Sequence, residues 1–445
     1  MIPKIKNIIQ KKIAEHKKSK IFYLRTVIHV AKYFLFNRYR NTRCLIDPPT
    51  EFFYKYKKLA NYFSLPLLIL GKYFERKKIF ISVNNEWNFS IGHTFSEIDQ
   101  LQRMQKLIAK YSNSRIWFTS SRKDILGDTR QIFNSKNFNI MIGGIKRLLL
   151  TFVAIRYPAV SIDASIGNSN YVLGNKNLSH RIVHHNKSKL RADLISKSPE
   201  FFPNRDKLNN YSNQKSKLMK ELNITKNYIV IQIKSKKGNA TLSPLSPELY
   251  LETIKYFQHK GYEIVLAGRE KCPEIFLNNN VIDYANSRYI SALNDFLIVG
   301  YSSLVISSAS GFCNIAKSLD KPILIMNGIH GVQEFGRRTI ILPMLIACKG
   351  KLPNAHIQHK YFYTYGPDYF NFSNDLYIHH TLTSKEILEG AKELEGMLSD
   401  QIPIFTQLQK KIRDDNSCPL LSYGLSRISD FFLHEHEYYY IKDKS

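Results

Sequence analysis

Cysteine is scarce in this sequence: five in 445 residues (Cys44, Cys272, Cys313, Cys348 and Cys418), with no Cys-x-x-Cys pair. An odd number at irregular spacing argues against a disulfide framework and against a thiolate zinc site. It reads as free thiols in a reducing compartment. Acidic residues are also few: 36 Asp and Glu face 65 Lys and Arg, for a net charge of +29. That imbalance asks for a polyanionic neighbour, whether nucleic acid, an anionic membrane surface or phosphorylated substrates. The basic residues are dispersed, and no zinc-finger or aromatic–basic RNA-binding motif accompanies them, which argues against nucleic acid. Long apolar runs are missing too. The longest uncharged stretch, Phe296 to Ala316, contains five serines, and Leu59 to Gly71 is too short to span a bilayer. Lysines break the first apolar cluster, so neither a secretory signal nor a transmembrane helix is expected.

What is present is a large apolar fraction, 44%, in a length that suggests two or three domains. The chain is organised around Ser302 to Asn327, SSLVISSASGFCNIAKSLDKPILIMN. This stretch predicts a strand over Leu304 to Ser307, a small-residue turn at Ser308-Ala309-Ser310-Gly311, a helix over Phe312 to Leu319 and a strand over Pro322 to Met326. Together they make a βαβ unit of a parallel sheet. The turn lies at the carboxyl end of its strand, where open α/β sheets bind ligands. Free backbone N–H groups beside the Ser308 and Ser310 hydroxyls suit phosphate, and Gly311 allows close backbone approach. Spacing alone does not separate this from a plain serine-rich turn.

The run Ala309-Ser310-Gly311-Phe312-Cys313-Asn314-Ile315-Ala316, followed by Leu319, Lys321-Pro322 and a hydrophobic strand, resembles the donor-side signature of GT-B glycosyltransferases. It is similar to the heptosyltransferase-like and O-fucosyltransferase-like enzymes that build bacterial surface polysaccharides. It departs from the heptosyltransferase form at Ala309, where Asp is common, and at Asn314, where His is common. The resemblance covers Tyr228 to Leu398 and, more faintly, Lys77 to Arg191. It implies an α/β fold with two Rossmann-like doubly wound domains facing a cleft. The expected organisation is a basic helical extension (1–75), an acceptor domain (76–215), a donor domain (216–400) and a helical tail (401–445).

Local signals agree with that plan. Residues Met1 to Arg43 hold twelve Lys and Arg and one acid, Glu15. Their apolar positions fall on one helical face, which reads either as a membrane-surface helix or as a solvated basic helix packed on the next domain. Strands are expected at Ile79 to Val83, Arg115 to Thr119, Asn139 to Ile142 and Ala159 to Asp163 in the first domain. In the second they are expected at Tyr228 to Lys234, Tyr262 to Ala267 and Val281 to Tyr284. Helices are expected after Ser246-Pro247 and from Thr383-x-x-Glu386, a capping box. Lys197 to Lys226 reads as a linker with a lead-in helix.

Glycosyl transfer needs a base for the acceptor hydroxyl, stabilisation of the leaving phosphate, and both substrates in line. The resemblance places Ser308, Ser310 and Gly311 at the donor phosphates. Gly268 and Arg269, ending a neighbouring strand, would meet the donor or its charge; Lys234 is a second cation, and Glu334 stands where related enzymes hold the ribose. A surface carboxylate is the competing reading for Glu334. Glu97 or Asp99 is chosen for the base, with Glu97 expected in a first helical turn, where ordinary capping would also explain it. His93 would orient the acceptor. No Asp-x-Asp is present, so neither metal nor cofactor is expected. The expected partners are a nucleotide-sugar donor, a glycan or lipid-linked acceptor and, through the basic N-terminus, an anionic membrane. The expected place is the cytoplasm, at the inner-membrane face. The alternatives are an assembly partner without turnover and a polyanion-binding protein.

Overall fold

The computed structural model describes residues 64–83, 91–120, 129–142, 144–162, 194, 197–234, 244–308, 310–328, 336–353, 376–399, 402–414 and 425–440. The basic extension before residue 64, Ala309 and Glu334 lie outside them. Among the described residues, no helix is long and apolar enough to cross a membrane.

Three β-rich runs form a parallel sheet, side by side in chain order: β1 (Ile79–Val83), β2 (Arg115–Ser120) and β3 (Phe138–Ile142). Successive side chains on a strand point to opposite faces, so each run serves two cores. Ile79 and Ile81 pack with α1 (Ser64–Arg76) and α3 (Gly144–Arg156). Phe80, Ile116, Phe118, Phe138 and Ile140 share a second cluster with α2 (Ile91–Leu107). Where a strand is expected over Ala159 to Asp163, the described residues form a 3₁₀ turn, Pro158–Val160, and then a single bridge from Ser161 to Ile81. Pro158 has no N–H for a ladder.

Among the described residues the second sheet has seven strands in the order β12-β9-β8-β7-β4-β5-β6, all parallel. They are β4 (Tyr228–Gln232), β5 (Glu263–Ala267), β6 (Ile282–Asp283), β7 (Val305–Ser308), β8 (Ile323–Gly328), β9 (Thr339–Pro343) and β12 (Arg427–Ile428). β4, β8 and β9 are buried along their whole length, as parallel strands covered on both faces must be. One face carries α4 (Ser212–Glu221), α6 (Ala292–Tyr301) and α7 (Cys313–Ser318). The other carries α5 (Leu251–His259), α8 (Ser384–Glu395), α9 (Gln407–Asp414) and α10 (Asp430–Glu435). The tail thus supplies an edge strand as well as helices. A separate antiparallel pair, β10 (Leu345–Cys348) with β11 (Leu376–His380), follows β9.

One apolar cluster runs from the three-stranded sheet to the seven-stranded one. The Phe95 ring of α2 lies 4.7 Å from Phe133 and 5.9 Å from Phe296 of α6. Each such ring contributes about 1.5–3 kcal/mol by leaving water. The Thr383 capping box forms in full: Glu386 N donates to Thr383 Oγ1 at 3.2 Å, and Thr383 N to Glu386 Oε2 at 2.7 Å. Ser246 holds the cap position but its hydroxyl meets the Glu248 carboxylate instead of a backbone N–H. A 3₁₀ turn, Pro247–Tyr250, precedes α5.

Candidate functional site

The chain runs outward from β4 through β5 to β6, then returns to the other side of β4 and runs outward again from β7. In open α/β sheets such a reversal is the general place for a ligand, beyond the carboxyl ends of the two strands that flank it, here β4 and β7. Gln232 ends β4; Ser307 and Ser308 end β7.

Gln232 is the hub. Its Oε1 accepts from Ser307 Oγ at 2.7 Å and from Ser310 Oγ at 3.2 Å, while its Nε2 donates to the Ile233 carbonyl at 2.5 Å. Ser310 Oγ in turn accepts from Phe312 N at 3.2 Å, closing the turn into α7. Ser308 Oγ lies 3.5 Å from the Tyr250 hydroxyl. The Cys313 thiol donates to Ser307 Oγ and the Ser308 carbonyl, both at 3.4 Å, and is fully buried. That makes it a packed small side chain, as the sequence suggests. Gly268, at the end of β5, has φ +107°, and a Cβ there would stand 3.1 Å from Gln232 Cγ. Glycine is needed at that position for its dihedral and for its contact.

The cations divide into two kinds. Lys234 is half-buried, and its ammonium has no ion pair among the described residues. Burial lowers its pKa, while Cys313 and Glu270 pull the other way. Arg269 is already engaged: it bonds Asp295 at 2.8 and 3.3 Å and the Gly268 carbonyl at 2.8 Å. Asp295 also accepts from Tyr284 OH at 2.8 Å. Burial pushes the Asp295 pKa up, against the opposing pull of Arg269 and Tyr284.

The expected acceptor side lies on α2. The helix begins at Ile91, so Glu97 stands in its second turn and is buried, which corrects the first-turn expectation. His93 lies in the first turn, with its side chain outside the described residues. Asp99 Oδ2 pairs with Arg103 Nε at 3.0 Å, and Arg103 Nη1 donates to the Ser198 carbonyl at 2.7 Å. Asp99, Ser96 and Arg103 line a cleft against α7 with Asn314, Lys317 and Arg337. Asp99 therefore shares a cleft with Asn314, but its charge is met by Arg103. Lys317 and Arg337 come from the amino-terminal side of β8 and β9, the other end of the sheet from Gln232.

The structure therefore gathers Lys234, Gly268, Ser308, Ser310 and Gly311 around the switch point, with Arg269 beside them held by Asp295. Sequence reasoning missed Gln232, Ser307 and Tyr250. A polar Gln closing an apolar run, in the strand that turns out to flank the reversal, was the available signal.

No protein-family model and no curated protein matches this chain. Among solved structures it is similar to the Escherichia coli ADP-heptose lipopolysaccharide heptosyltransferase II: 12% identity, TM-score 0.42, covering 72% of this chain and 99% of that one. It is also similar to a family 9 glycosyl transferase from Veillonella parvula: 10% identity, TM-score 0.42, covering 72% and 97%. The wall teichoic acid polymerase TagF is a third, at 12% identity and TM-score 0.31, covering 69% and 79%. At identities and TM-scores this low, the likeness carries no inference about this chain's ligand.

Proposed function

We propose that the chain is a glycosyltransferase that draws a sugar from a nucleotide-activated donor held at the β4–β7 switch point. The observation that carries this reading is the neutral web of Gln232, Ser307 and Ser310 with Lys234 beside it, at the point of a parallel sheet where phosphorylated ligands bind. Ser310, near the start of the motif that resembles GT-B donor sites, belongs to this web. Lys234 offers a cation whose charge is not already paired, suited to a diphosphate leaving group. Transfer is inverting and needs no metal in this reading. The acceptor is a surface glycan or lipid-linked sugar, approached from the α2 side, and the basic extension holds the protein at an anionic membrane surface.

A thermal-shift series tests the reading: purified protein with UDP, GDP, ADP or CMP, without metal, beside Lys234→Met. A ligand that binds only the native state raises its apparent stability. One nucleotide is expected to raise the midpoint of the native protein and not of the variant. No shift with any nucleotide, together with steeply salt-sensitive binding to arbitrary polyanions, overturns the proposal. The Asp99–Arg103 pair favours a second reading, a donor-binding assembly partner without turnover; nucleotide binding with no sugar released to water or acceptor distinguishes it.

A further inference from the structure

We infer that His380, Glu386 and His436 form a zinc-class metal site that clasps the C-terminal helices to the seven-stranded unit. The three residues come from three elements: the end of β11, the first turn of α8, and the residue that ends α10. Their ligand atoms all lie within 4.8 Å of one another. His380 Nε2 is 2.9 Å from Glu386 Oε1, and His436 Nε2 is 2.7 Å from the same oxygen. Two imidazoles and a carboxylate are the donor set that suits a borderline divalent ion, zinc before magnesium or calcium. Bonds of about 2.0–2.1 Å place tetrahedral ligand atoms about 3.3 Å apart. Spreading the three atoms by about half an ångström therefore seats the ion, a shift that side-chain torsions supply.

The surroundings are those of a prepared centre. Glu386 Oε2 accepts from Thr383 N at 2.7 Å and Thr383 Oγ1 at 2.9 Å and lies 3.0 Å from His380 Nε2, while Oε1 meets both rings. Outer hydrogen bonds of this kind orient metal-binding carboxylates. The His380 and His436 rings lie 4.2 Å apart, with Phe432 4.4 Å from His436 as an apolar wall. Side-chain exposure is 5% for Glu386, 10% for His436 and 23% for His380, so one edge stays open for water as a fourth ligand. His436 Nδ1 is buried without a partner among the described residues. With no ion bound, His436 Nε2 donates its proton to Glu386 Oε1, and a bound ion would take that proton's place. The site uses none of the groups around Gln232, so it stands or falls apart from the nucleotide reading.

The test uses the full chain. Metal content of the purified protein is measured before and after chelation. The chelated protein is then titrated with Zn²⁺, Mg²⁺ and Co²⁺, following the thermal midpoint and the visible Co²⁺ spectrum. One zinc per chain is expected, with a midpoint lowered by chelation and restored by stoichiometric zinc but not by magnesium. His380→Ala and His436→Ala should each weaken zinc binding at least tenfold and abolish the Co²⁺ bands. Because either variant could misfold, the native protein decides alone as well: a midpoint indifferent to chelator and zinc overturns the inference. Zinc retained by the doubly substituted protein also overturns it, by placing the metal on other ligands.

Discussion

Two polar clusters flank α7, and they are built on opposite principles. At the carboxyl end of the sheet, Gln232, Ser307 and Ser310 bond through neutral groups, and the nearby Lys234 ammonium stands without a paired charge among the described residues. At the other end, charges are matched in place. Asp320 accepts from Arg337 Nε at 3.0 Å and also pairs with Arg338 at 3.5 Å, with Arg205 4.0 Å away. Arg337 also meets Glu200, and Arg103 holds Asp99. An incoming anion finds capacity at the first cluster. At the second, its charge would have to displace a carboxylate already there. The proposed binding surface thus differs from a structural seam that ties α2 and residues 197–205 to the turn after α7.

The largest effect should come from breaking the seam at Asp320. Its side chain is 2% exposed and serves three arginines. Asp320→Ala removes the buried counter-charge of these cations, leaving Arg337 only the exposed Glu200, at a cost of about 3–5 kcal/mol. Asp320 has φ +56°, so part of the alanine penalty is backbone strain. Asp320→Asn keeps the tolerance for that backbone and isolates the charge. Urea unfolding of both variants measures the two parts, and a loss below about 1 kcal/mol in each would mean that the seam is not structural.

Next in size is a pH effect at the same seam. Lys321, bonded to the Ser302 carbonyl at 2.8 Å, has its pKa pushed down to about 8 by burial, with Arg205 and Arg338 adding to the shift and Asp320 opposing it. Between that value and the ordinary lysine range, the unfolded chain keeps a proton that the folded chain has released. Stability therefore rises with pH from about 8 towards 10, by about 1.4 kcal/mol per unit for a full proton difference. Burial also lowers Lys207 to about 8, which adds to the slope. Above pH 10 the sign reverses: burial raises Tyr250 to about 12, and the folded chain then holds the extra proton. Lys321→Met should flatten the rise between pH 8 and 10 in thermal-midpoint scans. An unchanged slope would refute the assignment.

The seam was the less legible of the two clusters. Asp99 was visible as a candidate acid, but its partner Arg103 and the anchoring Ser198 carbonyl are 95 residues apart, and no local pattern joins them. Asp320 and Arg337 precede the paired strands β8 and β9, and Arg205 reaches Asp320 from a segment distant in sequence. The switch-point turn was readable because its strand, turn and helix are contiguous and each carries its own period. Ile79–Val83 and the Thr383 box were readable for the same reason. β12 is two residues long, too short for any period, and β11 ends on two histidines that carry no strand signal.

At the proposed binding cluster the expected effects shrink. Gly268→Ala should cost about 1–3 kcal/mol, because alanine is strained at φ +107° and its Cβ would press on Gln232 at 3.1 Å. Gly261→Ala is the matching control. Gly261 has φ +85° and open space around it, so it reports backbone strain alone. The excess of the first loss over the second measures how tightly Gln232 is held. Equal losses, with nucleotide response intact, would remove Gln232 from the site.

The smallest effect on the fold should come from Ser310→Ala, and it is the sharpest on the comparison. Ser310 is half-buried and gives up two neutral hydrogen bonds, to Gln232 and from Phe312 N. A neutral bond contributes about 0.5–1.5 kcal/mol, and exposure lets water replace part of it, so the midpoint should move by only a few degrees. A phosphate held at this turn would lose a hydroxyl donor, and charge-assisted bonds are roughly twice as strong as neutral ones. The nucleotide-induced shift should therefore fall further than the stability does. Asp320→Asn predicts the reverse pattern: a large loss of stability, with the remaining folded protein still responding to nucleotide. If both variants lose stability and response in proportion, the two clusters act as one structural unit, and the binding surface must lie elsewhere on the sheet.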